Sequence, residues 1–321
     1  MRESATTYTQ YINSHIKSQF EKYDKSVIYG QNIIAGSRIS GLGAGLENIK
    51  GTLALNTTNS ENSLMGMGFG LSLSGIPSLF LMKQHDFALL GLDQLVNTNN
   101  VLRQGRLKSP FLVLMVVVDS GFEAPQATLS SLDEFASLSK APVHFLSTKE
   151  SIDEGFKQSQ EPGLHFLAIG QANMKKSVKE SENAVVHFPG VILYPNSSNK
   201  NSTFTVALVF YGVDIEIGLQ VQNSLITHGI FADLFVICQL SRSIISQSFV
   251  SELDTYSKIV VIDTGKSEIH YSTELALSML HSERAFKVFT RMPTAVWSEV
   301  SEDAPEFDVA EIVGYILSGE N

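Results

Sequence analysis

Phe111-Leu112-Val113-Leu114-Met115-Val116-Val117-Val118 is an unbroken apolar run, β-branched toward its end. Such a run, without alternation, predicts a strand covered on both faces, the habit of parallel sheets. It is far too short to cross a bilayer, which takes about 20 apolar residues. Working outward, strands are expected at Ile76–Met82, 142–146 and 163–168, with helices near His85–Asn97, 129–139 and 149–159. Strand–helix–strand order at this spacing predicts a parallel α/β sheet. Upstream, Tyr8, Tyr11, Ile12, Ile16 and Phe20 fall at helical spacing, and Ser26-Val27-Ile28-Tyr29 reads as a short strand ending at Gly30.

Polar stretches at Lys175–Asn183 and Asn196–Ser202 bracket a domain junction. Beyond them strands are expected at 204–210, 230–237, 258–262 and 285–289, and helices near 214–227, 243–253, 272–282 and 308–317. The expected fold class is therefore α/β, as two open, mostly parallel-sheet domains covering residues 1–182 and 183–321. No short-period repeat joins the halves.

Composition narrows the function classes. The chain has 321 residues, 43% apolar and 17% charged, with 23 Lys and Arg against 33 Asp and Glu and a net charge of −10. No basic stripe appears, so neither a nucleic acid nor an anionic membrane is an expected partner. Cys238 is the single cysteine. That excludes an internal disulfide and the usual zinc spacings. The N-terminal segment is amphipathic rather than signal-like, so a cytoplasmic location is expected. The eight histidines are scattered without metal-ligand spacing, and no Gly-x-Ser-x-Gly elbow is present. The Gly-rich segment Ala35–Gly45 has no Lys-Ser/Thr pair after it and reads as a surface or interface loop.

The remaining chemical signal is Thr57-Thr58-Asn59-Ser60-Glu61-Asn62-Ser63-Leu64-Met65-Gly66-Met67-Gly68-Phe69-Gly70-Leu71. Ser60 is placed as an N-cap, which puts Glu61 in the first helical turn beside unpaired backbone N–H groups. Gly66 and Gly70, at i and i+4, leave one face smooth enough for close approach. Several glycines in one helix, each costing about 1 kcal/mol against Ala, suggest a packing purpose. On spacing alone Glu61 is either a helix-dipole acid or an acid that meets a ligand or partner. His85-Asp86 opens an element just after a strand, where open α/β sheets bind ligands; a solvated helix-start histidine is the other reading. Asp263-Thr264-Gly265 reads only as a strand-to-turn exit.

Taken together, these motifs resemble the transketolase-like pyrimidine-binding domain of the β subunits of thiamine-diphosphate-dependent 2-oxo acid dehydrogenases, of the pyruvate dehydrogenase type. The resemblance rests on Glu61 with Gly66 and Gly70, on Asp86-Phe87, and on Leu92-Asp93-Gln94-Leu95-Val96-Asn97. Phe210-Tyr211-Gly212, Thr227-His228-Gly229-Ile230 and Val260-Val261-Ile262-Asp263 are similar to the family's C-terminal domain. The resemblance implies that Glu61 hydrogen-bonds a ring nitrogen of the cofactor's aminopyrimidine. Leu64, Gln84 and Phe87 fall at positions lining that ring, His85 and Gln126 on the substrate side, and Gly66 and Gly70 in a subunit interface. It also implies a partner. The family's Gly-Asp-Gly motif for diphosphate and Mg²⁺ is absent here, so an α-type subunit would carry the metal, within an α2β2 heterotetramer. This chain itself is expected to ligate no metal.

Three departures bear on activity. Gln84 stands where relatives often place an aromatic ring, and Tyr29-Gly30-Gln31-Asn32 replaces a Gly-Glu-Asp segment. The loop Asp119–Leu129 has no histidine, with only Glu123 and Gln126 as polar substitutes. The implied function is the β-type half of a two-component enzyme acting on a 2-oxo acid or a ketose, active only with its α-type partner. The alternative is a non-catalytic paralogue that scaffolds or regulates such a complex.

Overall fold

The structure is a computed structural model that describes residues 6–118, 132–178, 181, 183–196, 205–241, 245–266, 270–290 and 307–318. The loop Asp119–Leu129, with Glu123 and Gln126, lies outside the described residues. In the first half the elements are α1 (Tyr8–Phe20), β1 (Ser26–Gly30), β2 (Thr52–Asn56), α2 (Glu61–Leu73), β3 (Ser78–Met82), α3 (Asn99–Leu102), β4 (Pro110–Val117), α4 (Leu132–Ser139), β5 (Val143–Phe145), α5 (Lys149–Gln158) and β6 (Gly163–Gly170). The second half contains β7 (Val185–Phe188), β8 (Val191–Tyr194), β9 (Val206–Tyr211), α6 (Glu216–Thr227), β10 (Ala232–Ile237), β11 (Gln239–Leu240), α7 (Gln247–Leu253), β12 (Lys258–Asp263), α8 (Thr273–Ser278), β13 (Ala285–Thr290) and α9 (Val309–Leu317).

Two sheets result, ordered β11-β5-β6-β4-β3-β1-β2 and β13-β12-β9-β10-β8-β7. The run that predicts a doubly covered strand is β4, buried along its whole length between β3 and β6 and parallel to both. The expected α/β class with mostly parallel sheets is what the structure shows. Antiparallel pairing is confined to the edges, at β11–β5, β10–β8 and β7–β8. One apolar cluster packs α1 and α5 on one face of the first sheet, and another packs α6 and α9 on one face of the second. The inner faces share a continuous core that runs from Phe80, Val113 and Phe166 to Val209, Phe235 and Val261. Asn173 Nδ2 donates to the Val213 carbonyl at 2.6 Å, and Lys176 pairs with Asp214 at 2.8 Å, adding polar ties between the halves. Among the described residues no helix is long and apolar enough to cross a membrane.

Several expectations need correcting. The helix expected over His85–Asn97 is instead a 3₁₀ segment, His85–Gly91, a π turn, Gln94–Thr98, and then α3. Here the chain is pressed against α2: a Cβ on Gly91 would stand 2.7 Å from Met65 Cγ. Strand β2 and the hairpin β7–β8 leave no long apolar run in the sequence, because Leu53, Leu55, Val185 and Val186 lie at exposed edges. The hairpin occupies the segment between the two polar stretches and joins the second sheet.

Helix α2 is fixed over β1, β3 and β4 by aromatic packing. Tyr29 and Phe80 stack with centroids 5.2 Å apart, and Phe69 meets Phe111 edge-on at 5.2 Å. Tyr29 Oη donates to the Leu64 carbonyl at 2.9 Å. The glycine that this packing requires is Gly68, where an added Cβ would fall 2.2 Å from the Phe111 ring. Phe111 is fully buried, so overpacking outweighs the helix propensity gained. Gly68→Ala is expected to lose about 1–2 kcal/mol, net of a propensity gain of about 1. Gly70→Ala, with nothing within 4 Å of the new Cβ, is expected to be neutral or stabilising. Urea midpoints of the two variants check this, and equal midpoints would refute it.

Candidate functional site

In the first sheet β1 is flanked by β2 and β3. The chain moves from β1 to β2 on one side, then through α2 to β3 on the other. The order therefore reverses at β1/β3, and such switch points open a crevice at the carboxyl ends of the strands. α2 begins at that edge, just after β2, and Gln84 to Phe87 leave it just after β3. The sequence elements around Glu61 and His85 are thus brought to one edge by topology.

Glu61 is only 6% exposed. Ser60 does occupy the N-cap position, but its hydroxyl bonds the Ser63 hydroxyl at 3.0 Å and caps no backbone N–H. Ser60 is thus the N-cap and Glu61 stands in the first turn as expected, but the first-turn N–H groups have no side-chain acceptor there. No hydrogen bond or ion pair to the Glu61 carboxylate forms among the described residues. The 3₁₀ segment covers the turn, since a Gly91 Cβ would stand 3.4 Å from the Glu61 carbonyl. The Glu61 carboxylate oxygens are not among the fully buried polar atoms, so a ligand or partner chain can reach them.

The neighbouring positions divide. Leu64 is buried beside Met65, and Phe87 is half-buried against the same core. Gln84 lines a cavity of about 280 Å³ at the ends of β1, β3, β4 and β6, with Gln31, Asn32, Lys83 and Gln171. The Gly-rich segment closes that cavity through Ser37, Ile39 and Ser40, so it is wall rather than free loop. Neither Glu61 nor Phe87 lines it. Gly66 faces the Gln94 side chain at 3.5 Å, while Gly70 faces open space. Leu90 of the 3₁₀ segment is 64% exposed.

His85 is fully buried, with Nε2 3.3 Å from Asp86 Oδ1 but out of hydrogen-bonding alignment. Asp86 itself is the group that the sequence undervalued. Burial pushes its carboxyl up to about 7, against smaller opposing effects from its own backbone N–H and from Lys266 of the second half. A carboxyl poised near neutrality can both hold and release a proton. The only sequence signal for it was a His-Asp pair directly after a buried strand.

No protein-family profile matches the chain, and no curated protein matches it in sequence. Among solved structures it is similar to a split-gene transketolase in an inactive β4 tetramer, with 12% identity and a TM-score of 0.69. The match covers 98% of this chain and 97% of that one. At this identity the likeness is one of fold: a transketolase-like, two-domain α/β architecture.

Proposed function

We propose that this chain is the β-type half of a two-component thiamine-diphosphate-dependent enzyme, completed by an α-type chain that binds the diphosphate and Mg²⁺. The observation that carries the reading is Glu61: a largely buried acid, with no described hydrogen-bond partner, in the first turn of α2 at the switch-point edge of a transketolase-like fold. An acid without a protein partner fits a ring nitrogen that arrives with a cofactor, and Leu64 and Phe87 supply apolar surface nearby. The division into domains at 182/183 belongs to the same proposal.

When bound, thiamine diphosphate supplies a nucleophilic carbon and an electron sink for breaking a bond next to a carbonyl. The chain's own residues bind, orient and manage protons. Glu61 holds a proton against one nitrogen of the aminopyrimidine, Leu64 and Phe87 exclude water from that contact, and Gln84 offers an amide to the ring or the substrate. His85 and Asp86 stand on the substrate side, where Asp86 can exchange a proton near pH 7. The substrate is a 2-oxo acid or a ketose, with the acyl or ketol group passed to a carrier or an aldehyde. Gly70, open beyond its Cα, is offered to the partner within an α2β2 assembly, as is the exposed Leu90, while Gly66 packs on Gln94 of this chain. The second reading, a non-catalytic scaffolding or regulatory paralogue, is favoured by one observation: no histidine lies in Asp119–Leu129.

Titration calorimetry separates the two. The reconstituted α/β pair is expected to bind thiamine diphosphate with Mg²⁺, whereas this chain alone is not. An assembled pair that fails to bind the cofactor would refute the enzyme reading and leave the scaffold.

A further inference from the structure

A second switch point lies in the other sheet. From β9 the chain goes through α6 to β10 on one side and later to β12 on the other, so the crevice opens at the carboxyl ends of β9 and β12. A cavity of about 450 Å³ occupies this end of the sheet. It is lined by Tyr211 and Ile237 at the strand ends, Asp133 and Ala136 of α4, and Tyr271, Glu274 and Leu277 at or just before α8.

Its charged lining residues among those described, Asp133 and Glu274, are both acidic. The Tyr211 side chain is 1% exposed and its hydroxyl has no hydrogen-bond partner. That hydroxyl lies in the field of Asp263, Glu274 and Asp133, whose charges add to burial in raising its pKa. Asp263 is satisfied by the Gly265 and Ser272 N–H groups at 2.9 and 2.7 Å, and contributes charge from behind the wall. Asp133 has no hydrogen-bond partner among the described residues; burial and then Glu134, Asp263 and Glu274 push it up to about 6. Among the described residues the two charged groups lining the cavity are both carboxylates, with Asp263 behind them and His270 offsetting Asp263 in part, and this balance favours a cation. Among the described residues no three His, Cys, Asp or Glu side chains are placed to hold a metal ion. Ser137, Gln239, Ser241 and Thr273 add neutral polar groups, Ala136, Ile237, Leu240 and Ile245 form an apolar stretch of wall, and the volume suits a small organic ligand.

We infer that this crevice binds a small organic ammonium ion, with Asp133 accepting from the ammonium, the Tyr211 hydroxyl completing its shell, and the apolar wall taking the carbon body. The inference does not depend on the role of Glu61.

Benzylammonium is the probe, with benzyl alcohol as its uncharged counterpart, tested on the full chain by calorimetry and saturation-transfer NMR. The amine is expected to bind at least tenfold more tightly than the alcohol. Asp133→Asn should weaken it about tenfold, as loss of one charge-assisted hydrogen bond implies, and Tyr211→Phe several-fold. Leu277, 61% exposed at the rim, tolerates Leu277→Trp, which should block binding without loss of fold by circular dichroism. Equal binding of amine and alcohol, undiminished binding in Asp133→Asn or Leu277→Trp, or no binding at millimolar amine would each overturn the inference. If Asp133→Asn does not fold, Leu277→Trp and the alcohol decide it.

Discussion

Glu61→Ala, in the reconstituted pair, is expected to slow exchange of the thiazolium proton of bound thiamine diphosphate by two to four orders of magnitude, the usual yield of one positioned acid–base group. The same substitution should leave folding and assembly intact. A helix-dipole acid would contribute about 0.3–1 kcal/mol of stability, which alanine would remove. Glu61, however, has no described donor, and its carboxylate oxygens are not among the fully buried polar atoms, so removing the charge should leave stability nearly unchanged. The two roles therefore predict different outcomes in the free chain: a cofactor acid gives nearly unchanged stability on substitution, a dipole acid lower. Proton exchange followed by NMR after a deuterium-oxide quench, together with urea midpoints of the free chain, reads both. Unchanged exchange with a lowered midpoint would return Glu61 to the helix dipole.

What was legible in the sequence follows from burial. Strands β4, β9, β10 and β12 are almost wholly buried, so they leave apolar runs that no polar outer face interrupts, and their alternation with helices gives the α/β class directly. Edge strands leave no such trace. β2 exposes Leu53 and Leu55, and β11 is two residues long and pairs back across the halves onto β5. The position of Ser60 was legible but its bond was not, because a hydroxyl at the N-cap has both a backbone and a side-chain partner within reach. The burial of Glu61 was not legible either. A carboxylate after a polar cap reads as solvated, and what covers it is the turn at Gly91, fixed by tertiary packing on Met65. The Tyr211–Asp133–Glu274 crevice was invisible for a like reason: its walls come from segments that only the fold brings together.

A buried histidine pair gives the other large expected effect. His144 in β5 and His165 in β6 stack with centroids 5.7 Å apart, and His144 Nε2 is 3.4 Å from His165 Nδ1. His165 Nε2 is 3.1 Å from the Glu161 carbonyl. It must donate there, which leaves its Nδ1 to accept from His144. Burial, and for His144 then its neighbour, lowers the two pKa values to about 3 and about 4 from 6.5. The unfolded chain takes up both protons as pH falls through 6.5, while the folded chain resists until pH 3–4, so stability is lost with falling pH across that window. Asp86 and Asp133, raised to about 7 and about 6 from 3.8, act in the opposite sense. There the folded state holds the extra protons, and stability falls as pH rises from about 4 to 7. The two effects offset each other in the native protein, so its pH profile alone reveals neither. The His144→Gln, His165→Gln variant isolates the pair, because the carboxyls are common to both proteins. It is expected to be less stable than the native chain at pH 7.5 through lost packing. Relative to the native chain it should then gain roughly 4 kcal/mol between pH 6.5 and 4.5, close to two protons' worth. Urea unfolding of both proteins at constant ionic strength over that range measures the difference. A gap that stays constant with pH would mean that the imidazoles are already charged in the folded state or reach solvent without cost.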